Sequence, residues 1–197
     1  DRQLKGVTKA IYGPIRPVTE QTHPYIRSSE EAVLYGQAAA RTALGLAQKG
    51  FKPDLIVSHS GWGPGLFLKE VFPRARQVTL IEWYYRTRGS NLDFLADERL
   101  DLDLALKVRT GNIAFLGELT TCDWAMTPTA YQREQIPPEF WPRLSVIHEG
   151  VDTGYFAPHA GGRPGLRLAG HDLSHVDELV TYTTRGMEPY RGFPQFM

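Results

Sequence analysis

Several short stretches carry residues that could act on a ligand. His59 stands before Gly61-Trp62-Gly63, Glu82 before Tyr84-Tyr85-Arg86, Thr127 before Pro128-Thr129, and His148-Glu149 before Gly150. Further on, Arg185 and Arg191 are each followed by a glycine, Gly186 and Gly192. Aromatic rings stack on sugar faces, while carboxylates, imidazoles and small hydroxyls bond hydroxyl groups, so the set suits a polyhydroxylated ligand. Glu82 is the most informative member, because a carboxylate closing an apolar strand is costly to bury unless it is paired or used. The ordinary uses of these residues stand beside this reading: a histidine can cap a strand, and Trp62, Tyr84 and Tyr85 can serve as packing. His59, His148, Glu82 and Asp152 could in principle bind zinc, but no two histidines show the i, i+4 spacing with a helical glutamate, so a metal site is not expected. Ser60 lies in His-Ser-Gly-Trp-Gly and not in Gly-x-Ser-x-Gly, which argues against a hydrolase elbow.

These residues can share a site only if the elements before them line up. Pro53–His59, Gln77–Glu82, Cys122–Thr127 and Leu144–His148 are short apolar runs, each read as a strand. Between them come Leu66–Phe72, a long segment from about Asp97 to Leu119, and Pro128–Glu134, read as helices. In the long segment Leu100, Leu102, Leu104, Leu106 and Val108 alternate as in a strand, but its length and composition favour a helix. Ahead of them, Gly6–Tyr12 reads as a strand and Ser28–Lys49 as the clearest helix. That helix has a capping box at Ser28 and Glu31, an apolar stripe of Val33, Gln37, Ala40, Leu44 and Ala47, and a Lys49-Gly50 stop. Strands alternating with helices imply an α/β fold: a Rossmann-like, doubly wound, mostly parallel sheet with helices on both faces. Ligands of such sheets collect at the carboxyl ends of the strands, where the residues named above fall. Residues 157–177 read as a linker or hairpin, and Glu178–Thr184 as a further strand leading to Arg185.

Composition limits the alternatives. The 197 residues are 42% hydrophobic and 22% charged, which is globular, and 22 basic residues balance 22 acidic ones, so nucleic acid is not an expected partner. No apolar run is long enough to span a bilayer, and the first residues do not form a signal peptide. One cysteine, Cys122, favours a reducing, cytoplasmic compartment.

Five pieces resemble the amino-terminal region of family-4 glycosyltransferases: His59-Ser-Gly-Trp-Gly-Pro-Gly-Leu-Phe-Leu-Lys-Glu, Glu82-Trp-Tyr-Tyr-Arg, Cys122-Asp-Trp-Ala-Met-Thr-Pro-Thr, Val146-Ile-His-Glu-Gly-Val-Asp and Arg185-Gly-Met-Glu-Pro-Tyr-Arg-Gly-Phe. The resemblance implies a retaining enzyme of the GT-B fold, with two Rossmann-like domains facing across a cleft. A sugar would pass from a nucleotide-sugar to a glycan or lipid-linked acceptor in polysaccharide assembly. The nucleotide-sugar would be a co-substrate, with no metal and no other cofactor. His59 and Glu82 would be catalytic. Arg185, Gly186, Glu188, Arg191 and Gly192 would hold the donor, with arginine at a position where lysine is common. Gly61, Trp62, Gly63, Tyr84, Tyr85, Arg86, Thr127 and Glu149 would meet the acceptor or the sugar. Residues 1–156 would form the acceptor-side domain without its first strand, and 178–197 the start of a truncated donor domain. The chain is therefore expected to be a fragment, inactive alone. Its expected location is cytoplasmic, with peripheral contact at the inner face of a membrane left open. The rival is a carbohydrate- or nucleotide-binding module of the same shape without catalysis; a metal-dependent hydrolase is a weaker third.

Overall fold

The computed structural model describes residues 5–90, 92–93, 101–158, 165 and 167–197. It divides into two compact units, Asp1–His148 and Glu149–Met197. The first unit is built on a four-stranded, wholly parallel sheet of β1 (Leu55–His59), β2 (Arg76–Leu80), β3 (Trp124–Thr127) and β4 (Leu144–Val146), in the order β1-β2-β3-β4. Its helices are α1 (Arg27–Gln48), α2 (Leu68–Val71), α3 (Leu102–Gly111), α4 (Ile113–Thr121) and α5 (Ala130–Gln135). The fold is α/β and Rossmann-like, as the alternation of elements requires. Asp101 caps α3 by accepting from the Leu104 N–H, and Thr129 caps α5 by accepting from the Gln132 N–H.

One face of the sheet carries the core. Register places Ile56, Ser58, Gln77, Thr79, Ala125, Thr127 and Leu144 on it, all buried. Leu119 of α4 and Ile136 after α5 pack there against Ile81, Cys122, Ala125 and Leu144. The opposite face presents Leu55, Val57 and Trp124, all exposed. A feature hidden from an apolar-run reading is that Gln77, Thr79 and Thr127 occupy core positions with no exposure at all.

Several expected elements take another form. Gly6–Tyr12 is not a strand: its backbone is irregular, and Val7 and Ile11 are exposed. Glu178–Thr184 is likewise irregular, with Val180 exposed, and among the described residues no strand pairs with it. Ser28 does not cap α1. The helix starts one residue earlier with Ile26 at the cap and no side-chain cap bond, and the chain enters through backbone bonds from Ile26 N–H to His23 and from Glu30 N–H to Ile26. The stripe of Val33 and Leu44 is about half exposed. The buried face is the small-residue row of Ser29, Ala32, Gly36, Ala39 and Ala43. Small residues win because α1 lies directly on the loop after β1: a Cβ on Gly36 would meet the Gly63 carbonyl oxygen at 2.7 Å. The long central helix is two helices that break at Asn112, and the part expected before Asp101 lies outside the described residues. The second unit contains the hairpin β5 (Arg167–Leu168) and β6 (His171–Asp172), within the segment read as linker or hairpin, and a short helix α6 (Phe193–Phe196).

Asp123, just before β3, ties the amino end of the sheet together. It accepts from Lys69 Nζ at 2.8 Å, Arg76 Nη1 at 2.9 Å and the Gln77 backbone N–H at 2.8 Å. Lys69 first, then the Gln77 amide and Arg76, hold its carboxyl well below the ordinary carboxylate range. The stability it contributes is present above the ordinary carboxylate value and is lost as the pH falls. Asp123→Ala should therefore cost about 2–3 kcal/mol in urea melts at pH 7, with the gap to wild type narrowing toward pH 3. A gap that is constant with pH would contradict this role.

Candidate functional site

A cavity of about 580 Å³ opens at the carboxyl edge of β1 and β2. His59, the last residue of β1, and Glu82, just past β2, meet there: His59 Nε2 lies 3.2 Å from Glu82 Oε2, with both side chains partly open to solvent. Trp62 and Tyr85 line the same cavity, and Trp62 is 69% exposed, so its face is free to meet a ligand. Gly61 completes the group of expected residues brought together.

Each is held by its neighbours. Gln132 of α5 donates to the Glu82 carbonyl at 2.6 Å. The Asn112 amide at the α3–α4 break grips the Tyr85 backbone twice, accepting its N–H at 3.0 Å and donating to its carbonyl at 2.7 Å. Gly61 and Gly63 have φ of +86° and +98°, and a Cβ on Gly63 would lie 1.8 Å from the Ala32 carbonyl oxygen, so only glycine lets α1 and the loop touch. A Cβ on Gly61 would strike the Phe115 ring at 2.3 Å.

Other expected residues stand elsewhere. Gly63 is buried under α1, in the loop that walls the cavity. Tyr84 packs on Phe115 beside the core, where burial pushes its phenol up. Arg86 spends its Nε on the Gln135 carbonyl at 2.8 Å. Thr127 ends β3 as expected but is wholly buried, with no hydrogen-bond partner for its hydroxyl among the described residues. Glu149 is exposed and belongs to the second unit. In that unit Arg191 Nε donates to Glu188 Oε2 at 2.7 Å, and a Cβ on Gly186 would crowd the Glu188 carboxylate at 2.6 Å. Its own backbone N–H first, then Arg191 and Arg185, hold the Glu188 carboxyl below its usual range. Arg191 and Glu188 thus form an ion pair, and the Arg185 charge acts on the same carboxylate.

The cavity also gathers residues that sequence reading missed: Tyr12, Ser28, Glu31, Tyr35, Ser60, Trp83 and Phe115. Ser28, Glu31 and Tyr35 sit three and four residues apart on α1 and so share one face. The Ser28/Glu31 spacing read as a capping box is the signal of that cavity-lining face.

Beneath the loop lies a buried polar network. Glu118 of α4 has no exposure, and its Oε2 accepts from Ser58 Oγ at 3.1 Å. Ser58 Oγ is 2.8 Å from Thr79 Oγ1, and Gln77 Nε2 donates to the Gly65 carbonyl at 3.0 Å. Burial pushes the Glu118 carboxyl up to about 7, opposed by the Ser58 hydroxyl and the Gly61 backbone N–H.

The first unit is thus an α/β domain of the Rossmann-like class, with an aromatic, carboxylate-bearing cavity at the carboxyl edge of its parallel sheet. The model of the glycosyl transferase family 4 group matches residues 1–156, so the chain belongs to that family of glycosyltransferases. No curated protein and no solved structure matches the chain. Among the described residues, no helix is long and apolar enough to cross a membrane, and no group of three His, Cys, Asp or Glu side chains could hold a metal ion.

The Glu118 shift has a thermodynamic consequence. The folded state favours the protonated acid, so the stability tied to it is full below the ordinary glutamate value and is lost as the pH rises through about 7. Denaturant melts of the wild type should lose at most about 3 kcal/mol between pH 5 and pH 8, and Glu118→Gln should remove most of that slope. Equal slopes in the two proteins would contradict the assignment.

Proposed function

We propose that this chain forms the acceptor side of a retaining glycosyltransferase, which moves a sugar from a nucleotide-sugar to a glycan or lipid-linked acceptor. The observation that carries the reading is the His59–Glu82 pair beside an exposed tryptophan, in one cavity at the carboxyl edge of a family-4 sheet. Trp62 and Tyr85 would stack on sugar faces, and Glu31 and Glu82 would accept from sugar hydroxyls. Glu82 orients the His59 imidazole, which can then hold or pass on a hydroxyl proton of the acceptor. The nucleotide-sugar enters as a co-substrate and no resident metal takes part, since protein groups supply the charge stabilisation. We place the reaction in the cytoplasm, with a lipid-linked acceptor reached at the membrane surface.

The test is release of nucleotide diphosphate by the intact protein from a panel of UDP-, GDP- and dTDP-hexoses with a glycan acceptor. His59→Ala and Glu82→Gln should each lower kcat by ~10²-fold or more. Rates within about twofold of wild type in both variants would overturn the catalytic assignment, and tight sugar binding without any transfer would favour the binding-module reading.

The Arg185–Glu188–Arg191 cluster supports a donor role in the second unit, where two guanidinium groups can neutralise charge growing on a leaving diphosphate. Charge grows most in the transition state, so Arg185→Ala and Arg191→Ala should each lower kcat by ~10²-fold with a smaller change in KM. Arg191→Lys should recover much of the loss. If both alanine variants keep kcat and donor affinity within about twofold of wild type while folded, the role is wrong.

A further inference from the structure

The loop Gly61–Gly65 forms a wall of the cavity, and it rests on a carboxylate that the proposed reaction does not use. Glu118 holds the loop from below at Gly61 and packs closely under Gly65. At one end the Gly61 backbone N–H faces its carboxylate; at the other, a Cβ on Gly65 would come within 2.2 Å of Glu118 Oε2 and 2.6 Å of Ser58 Oγ. Gln77, bonded to both Ser58 Oγ and the Gly65 carbonyl, joins the two ends. Glu118 Oε1, Gln77 Oε1 and the buried Ser60 hydroxyl of the cavity wall have no hydrogen-bond partner among the described residues. An apolar side chain would fill this core position at far lower cost, and a glutamine could receive the same Ser58 and Gly61 donors without burying an ionisable group. A charge kept at such a place is expected to serve the site above it.

Resting on the sugar-binding reading of the cavity, we propose that Glu118 is a positioning residue: when charged it fixes the Gly61–Gly65 loop, and with it Trp62 and Ser60, in the shape that accepts the ligand, and when protonated it lets the loop relax. An ionised carboxylate holds the Ser58 O–H and Gly61 N–H more strongly than the neutral acid does. Both forms are populated near neutral pH. The groups facing Glu118 from β1, β2 and the loop are the Ser58 and Thr79 hydroxyls, the Gln77 amide and the Gly61 and Gly65 backbone. The ionisable group coupled to it is Cys122, one turn further along, which in turn feels Arg143. Glu31, His59, Glu82, Tyr12, Tyr35 and Tyr85 are the titratable groups lining the cavity, and Glu118→Gln replaces none of them.

The experiment is ¹⁹F NMR of the 5-fluorotryptophan-labelled chain from pH 5.5 to 8.5, with the Trp62 resonance assigned through Trp62→Phe. Trp62 should titrate with a midpoint near 7 in the wild type and be flat in Glu118→Gln. Ser58→Ala removes a donor that favours the anion, so it should move the midpoint upward. In parallel, affinity for the glycan acceptor, added as a free oligosaccharide, should rise ~10-fold from pH 6 to pH 8 in the wild type and stay level in Glu118→Gln. A Trp62 titration that is unchanged in Glu118→Gln overturns the proposal; if that variant does not fold, an unchanged midpoint in Ser58→Ala overturns it. Should no sugar probe bind the wild type at all, the cavity reading fails, while the Trp62 titration still decides the role of Glu118.

Discussion

The structure depends on one close approach: the backbone of the Gly61–Gly65 loop is pressed between helix α1 and the polar core of the sheet. Ala32 and Gly36 leave room above it, and Ser58, Gln77 and Glu118 receive it below. No side chain fits at Gly63, where a Cβ would lie 1.8 Å from a carbonyl oxygen. With its backbone held from both sides when Glu118 is charged, the loop can turn Trp62 outward as a platform. An exposed indole on a mobile loop would lose much of its binding energy to ordering; on a clamped loop that cost is met during folding.

The same arrangement explains why the core is polar at its centre. Backbone groups of a tight loop need partners when they are buried, and aliphatic side chains offer none. Gln77 satisfies the Gly65 carbonyl, while Ser58 and Thr79 pass the bonding along the sheet to Glu118. At the far end of the sheet Asp123 does comparable work for α2 and β2 through Lys69, Arg76 and the Gln77 amide. Gln77 links the two polar sites, its backbone N–H bonded to Asp123 and its side chain to Ser58 and Gly65.

The sheet was legible in the sequence because its strands are short apolar runs behind clear breaks, and His59 and Glu82 follow from their places at strand ends. Thr127 shows the limit of that logic: it ends its strand as expected, yet its side chain falls on the core face, because position along a strand does not say which face is covered. Gly6–Tyr12 and Glu178–Thr184 have strand-like composition, but a strand exists only with a partner, which composition does not reveal. Glu31 and Tyr35 escaped because a capping box and a cavity-lining helix face can share the same spacing. Glu118 escaped because nothing in Phe-Leu-Gly-Glu-Leu marks a glutamate as buried; its environment is assembled from β1, β2 and the glycine loop, which lie far away in sequence.

The central claim is that the clamped loop presents Trp62 to a sugar ring. Saturation-transfer difference NMR on the 197-residue chain with nucleotide-hexoses and free oligosaccharides tests it most directly. The account predicts saturation concentrated on the ring protons of one hexose face, lost in Trp62→Ala while the melting temperature stays unchanged. Saturation that persists in Trp62→Ala, or that falls only on the nucleotide base, would contradict it.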